Sequence, residues 1–166
     1  TGNLYHYKVT LKSGDTCTLN KTVNNNPSRY LFYGVPSQGC GWNGMDSLFK
    51  WSVSPAEFSV INDSSISYQS FTFPIDAKPG VVYRNILHGD TTTLSLTGTG
   101  QVVTTPAGTF SCMVFKYTEP VVSGGVWFRK TAYLWLNTKY GIIRQEVDNP
   151  ANSTDLKSQV LTSVNF

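Results

Sequence analysis

The groups with which this chain could do acid–base, nucleophilic or metal chemistry are few: two histidines, three cysteines and ten carboxylates. His6 sits among alternating polar residues of a strand-like run, and His88 sits in the turn His88-Gly89-Asp90, so neither has a partner close by along the chain. A Ser-His-Asp triad assembles in space and not along a sequence, yet the Gly-x-Ser-x-Gly elbow that would flag its nucleophile is absent. His-x-x-x-His and Cys-x-x-Cys spacings are absent too, so no metal site has a sequence signature. Gly98-Thr99-Gly100 is too short for a phosphate or dinucleotide loop and precedes a strand instead of a helix. Two carboxylates for glycoside hydrolysis would have to come from distant strands. No catalytic residue, metal or cofactor is therefore expected, and a hydrolase with an unrecognised site is the third reading of the chain.

The strongest remaining signal is aromatic. Along Val126 to Leu136 one alternating phase carries Trp127, Arg129, Thr131, Tyr133 and Trp135, and the other carries Val126, Phe128, Lys130, Ala132, Leu134 and Leu136. A strand covered on both sides accounts for this. In the functional reading one phase lines a hollow for a partly apolar ligand, with Arg129 or Lys130 near an anionic head group. The Gly-rich segment Pro36 to Gly44, with Cys40 and Trp42, is the longest irregular stretch and the first place to look for binding residues. Trp42 and Trp51 admit a role as sugar-stacking platforms, against the commoner one of core anchors. The ligand-binding candidates are thus Trp127, Arg129, Tyr133, Trp135 and Trp42.

Three cysteines permit at most one internal disulfide. Cys17 with Cys40 is the candidate pair and Cys40 with Cys112 the second, while Cys17 and Cys112 each lie on the apolar phase of a strand and also suit a small buried residue.

The elements that must position these residues read as strands. Tyr5, Tyr7, Val9 and Leu11 share one phase, with His6, Lys8, Thr10 and Lys12 on the other. Cys17, Leu19 and Val23 continue the apolar phase after the turn Ser13-Gly14-Asp15, and Asn24-Asn25-Asn26-Pro27 ends that strand. Arg29 to Val35, Leu48 to Val53, Phe58 to Ile61, Ile66 to Phe73, Val81 to Leu87, Thr91 to Thr97, Gln101 to Thr105, Thr109 to Glu119, Val126 to Leu136, Ile142 to Asp148 and Leu156 to Phe166 complete the set. Leu94 and Leu96 suit an exposed strand. Such spacing predicts an all-β, antiparallel fold, either a two-sheet sandwich or a curved open half-barrel of about 10–12 strands with little or no helix, over a single domain 1–166.

Composition narrows the setting. Charged residues are 14% of the chain, against about a quarter in ordinary soluble domains, which is the usage of extracellular and periplasmic β proteins. The 13 Lys and Arg residues, for a net charge of +3, are scattered and form no nucleic-acid stripe. No run approaches the roughly 18 apolar residues of a membrane-spanning helix. The absence of Met at the start fits an exported precursor that has lost its signal segment, or a chain trimmed to its folded part.

Pro106-Ala107-Gly108-Thr109-Phe110 reads as a tight hairpin turn, followed by the aromatic strand Tyr133-Leu134-Trp135-Leu136 and the turn and strand Tyr140-Gly141-Ile142-Ile143-Arg144. In this pairing the chain resembles a family of uncharacterised bacterial secreted proteins and lipoproteins, whose members carry a Thr-Pro-Ala-Gly-Thr-Phe turn and a Val-Gly-Leu-Val-Lys-like hairpin. The resemblance spans about Gly98 to Phe166. It implies an extracytoplasmic location, a curved carrier-like sheet, an unpaired core residue at Cys112, and compatibility with a lipid-anchored parent. The leading expectation is a non-catalytic domain binding a lipid or other apolar or amphipathic ligand on a concave β face. The alternative is a cell-surface interaction or carbohydrate-binding module.

Overall fold

A computed structural model describes residues 3–26, 29–36, 49–53, 57–62, 69–74, 76–87, 90–123, 125–148, 150 and 156–165. They form twelve strands: β1 (Asn3–Leu11), β2 (Thr16–Asn26), β3 (Arg29–Pro36), β4 (Phe49–Val53), β5 (Glu57–Asn62), β6 (Gln69–Pro74), β7 (Val82–Leu87), β8 (Asp90–Thr105), β9 (Gly108–Ser123), β10 (Val126–Asn137), β11 (Gly141–Asp148) and β12 (Leu156–Asn165). No helix occurs among the described residues, so none there is long and apolar enough to cross a membrane.

Nine strands make one antiparallel sheet in the order β3-β2-β1-β12-β11-β10-β9-β8-β7, and β4-β5-β6 make a second. In a flat sheet β8 and β12, four places apart, would lie about 19 Å from one another. They instead approach within 8 Å. The large sheet is therefore curled, and since β3 and β7 stay at its two ends it is an open half-barrel.

Alternation sets which face lines the hollow. Tyr5, Tyr7, Val9 and Leu11 of β1 are buried, with exposures of 4, 1, 0 and 2%. They share the concave core with Leu94 and Leu96 of β8, Phe115 and Tyr117 of β9, Ala132, Leu134 and Leu136 of β10 and Leu161 of β12. Leu94 and Leu96 are thus not on an exposed strand, because the curl brings their face over β12. The hydroxyl of Tyr7 donates to the carbonyl of Ile142 at 3.0 Å, tying β1 to β11 across the core.

Among the boundaries that differ from those expected, two have a plain cause. The Asn-rich end of β2 continues as strand to Asn26, because its backbone pairs with β3 from Asn24↔Leu31 to Asn26↔Arg29. The expected pair Thr91 to Thr97 and Gln101 to Thr105 is one strand with a bulge, its register slipping between Leu96 and Gln101 where Gly100 takes φ 68°. Such positive φ is where glycine carries no Cβ penalty.

The two turn motifs of the C-terminal half interlock. Asn137 accepts from the backbone NH groups of Lys139 and Tyr140 at 2.9 and 3.1 Å, closing the β10–β11 turn. Its amide also donates to the carbonyl of Ser111 at 2.9 Å, and Phe110 meets Tyr140 edge-on at 5.4 Å.

Candidate functional site

Four neighbouring strands each place polar side chains on the otherwise apolar core face. The register Glu119↔Lys130 sets these two side by side on β9 and β10, and their side chains form an ion pair at 2.7 Å. Glu119 and Thr92, on the same face of β8, are buried, whereas the Lys130 side chain retains 28% exposure. One row further in, Tyr117 pairs with Ala132, whose small side chain leaves room for the phenol to reach β11 and hydrogen-bond with Gln145. Gln159 of β12 donates to Gln145 at 2.7 Å, which completes a polar belt from β9 to β12.

Burial pushes Tyr117 up to about 12; the nearby Lys130 charge and the Gln145 hydrogen bond work against that rise, and Glu119 adds to it. Tyr117 is thus a neutral phenol at physiological pH. Burial likewise raises the Cys112 thiol to about 11. A buried thiol of this kind is inert as a nucleophile.

The core face opens at one end. Along β10 its residues run from buried Leu136, Leu134 and Ala132 to half-buried Lys130 and Phe128, and end at Val126, which is 65% exposed. The ion pair therefore stands at a throat, with closed apolar core on one side and the apolar lip of Phe128 and Val126 on the other.

Trp127, Arg129, Tyr133 and Trp135 lie together on the opposite, outer face of β10, in the phase that excludes the core. Trp127 is 63% exposed, while Tyr133 and Trp135 are half-buried with ring centres 6.5 Å apart. Arg144 stacks over Trp135 at 5.0 Å, Lys116 stands 5.9 Å from the Tyr133 ring, and Arg129 reaches the Thr91 carbonyl at 3.5 Å. Trp42 and Cys40 lie outside the described residues, as does His88. Cys17 is disulfide-bonded and Cys112 is a free, buried thiol. His6 has no partner close by along the chain but gains one across the sheet: its Nδ1 is 2.6 Å from Oδ1 of Asn20, the residue directly opposite on β2. Among the described residues no three His, Cys, Asp or Glu side chains gather as a metal site would require.

The belt went unnoticed in the sequence although it left a signal there. Lys130 stands between Phe128 and Ala132, Glu119 follows Phe115 and Tyr117, and Gln159 precedes Leu161, each at the two-residue step of an apolar phase. A polar residue on the buried phase of adjacent strands is a buried network in waiting.

These features define a class: an open, curled, antiparallel half-barrel with an apolar concave face, a polar belt across it and an aromatic-cationic outer face. Residues 96–159, from β8 into β12, match the family described as DUF3108-like. The chain is similar in structure to a protein of Bacteroides fragilis described as exported and having a YmcC-like fold, at a TM-score of 0.64 and 19% identity over 99% of this chain and 96% of that one. It is also similar to a protein of Parabacteroides distasonis described as a lipoprotein, at a TM-score of 0.61 and 16% identity over 99% and 95% of the two chains. At such identities the likeness is one of fold. No curated protein matches the chain.

Proposed function

We propose that this chain is a non-catalytic extracytoplasmic domain that binds an amphipathic ligand at the open end of its half-barrel. The observation that carries the reading is the throat: the ion-paired Lys130 and Glu119 on a face that is apolar both below, at Ala132 and Leu134, and above, at Phe128 and Val126. The pair offers a donor and an acceptor to a polar head, and the lip offers surface to a hydrocarbon chain. Few polar groups placed in an apolar concavity is the general form of a small-molecule site. Support for the compartment comes from the disulfide at Cys17, since such bonds persist in oxidising surroundings, and from the exported and lipoprotein descriptions of the two similar structures.

The test is native mass spectrometry of protein recovered from its own compartment, followed by organic extraction of what travels with it. A co-purifying amphiphile, lost in Phe128→Asp and weakened in Lys130→Met, is the expected result. A clean apo mass that no lipid extract changes would overturn the reading.

A further inference from the structure

The outer face of β7–β10 has a composition that the throat does not use. The register Arg84↔Thr93↔Thr118↔Thr131 and the next row, Val82↔Ser95↔Lys116↔Tyr133, place Arg84, Val82, Lys116 and Tyr133 on the same side of the sheet as Trp127, Arg129 and Trp135. Val82 and Trp127 are 53% and 63% exposed. Among the described residues Arg84, Lys116 and Arg129 enter no ion pair. Arg144 pairs with Glu146, and the face's other carboxylate, Asp148, lies with them on β11, so the β7–β10 part of the face is basic.

We infer that this face docks on the headgroup layer of an anionic phospholipid bilayer. Exposed Trp and Val with interleaved Arg and Lys suit an interface that is apolar at depth and negatively charged at its surface. A neutral glycan fits less well, because cations already stand over the rings of Tyr133 and Trp135 and the Trp135 indole NH is directed to Gln101 at 3.3 Å. The inference is independent of the ligand assigned to the throat, which opens on the other face.

Flotation of the full chain with vesicles of phosphatidylcholine, alone or mixed with phosphatidylglycerol, tests it. Binding is expected only to the anionic vesicles and should fall as salt rises. Arg129→Gln and Lys116→Gln should each weaken partitioning about fivefold, the contribution of one cation near such a surface. Quenching by bromine-labelled lipid should fall by more than half in Trp127→Phe, a change at an exposed site that leaves the fold intact, the remainder coming from half-buried Trp135 on the same face. Absence of binding to anionic vesicles would overturn the inference, as would binding indifferent to both cation substitutions. Capture of dextran sulfate in place of vesicles would also overturn it, and would assign the face to an acidic polysaccharide.

Discussion

The ion pair at the throat makes an asymmetric prediction. Lys130 and Glu119 are 2.7 Å apart, and at an effective dielectric of about 20 the attraction of two such charges is roughly 6 kcal/mol before the cost of drawing them from water is subtracted. That cost falls mainly on Glu119, whose side chain is 9% exposed against 28% for Lys130. Lys130→Met strands a buried carboxylate and should cost about 3 kcal/mol, the low end for a broken buried pair. Glu119→Leu leaves an ammonium that can turn toward solvent and should cost only about 1 kcal/mol, as for a part-exposed pair. The double variant should lie within about 1 kcal/mol of the parent, since an apolar pair of similar volume replaces buried charges at little cost. Urea unfolding followed by circular dichroism, with unchanged m values, gives all four corners of the cycle. Equal costs for the two single variants, or a double variant that loses their sum, would refute the placement of Glu119 as the buried partner. A stable double variant that no longer retains a co-purifying amphiphile would mean that the pair serves binding at the expense of stability.

Tyr7→Phe should lower stability by about 1–2 kcal/mol, because the buried Ile142 carbonyl loses its donor; a neutral result in urea melts would contradict that contact. At high pH the fold should weaken: Cys112 and Tyr117 titrate near 11 and 12 in the folded chain against 9.0 and 10.0 when unperturbed. A raised pKa means the unfolded chain loses the proton first, so the stabilisation is complete below pH 9 and is lost as pH climbs toward 12; Cys112→Ala should flatten the portion between 9 and 11, and an unchanged slope would count against the burial of the thiol. Non-reducing peptide mapping should join Cys17 to Cys40, with reduction costing about 3 kcal/mol as expected for a loop of this size, and Cys112 should alkylate only after unfolding. A different linkage would refute the pairing.

Legibility in the sequence followed the strength of alternation. The four apolar residues of β1 are core residues where alternation puts them, because a half-barrel has one dry face and a one-residue slip would wet the whole set. The bulge in β8 was hidden, since Gly98 to Gly100 has the composition of a break, and only pairing to β9 turns it into a continuous strand. The face of Trp127, Arg129, Tyr133 and Trp135 could not be assigned, because both phases of β10 carry large apolar groups and only the curl decides which is inside. The polar belt depends on pairing between strands distant in sequence, which alternation within any one of them does not encode.

The seam between β1 and β12 joins the first and the last of the twelve strands, from Leu4↔Asn165 to Leu11↔Leu156, and Thr162 donates to the carbonyl of His6 at 3.0 Å. Two adjacent interior strands of the sheet are thus the two that lie farthest apart in the sequence. Until β12 has docked, β1 has one open side and the core rows of Tyr7 and Val9 stay wet. Contacts of such long sequence separation slow folding, because loop closure precedes any gain from burial. Closure of the sheet therefore waits on the pairing of β12 with β1. The same adjacency means that a short linker between the ends, with a new opening at an exposed turn such as Ser13-Gly14-Asp15, would preserve every strand pair while turning a terminal seam into a hairpin.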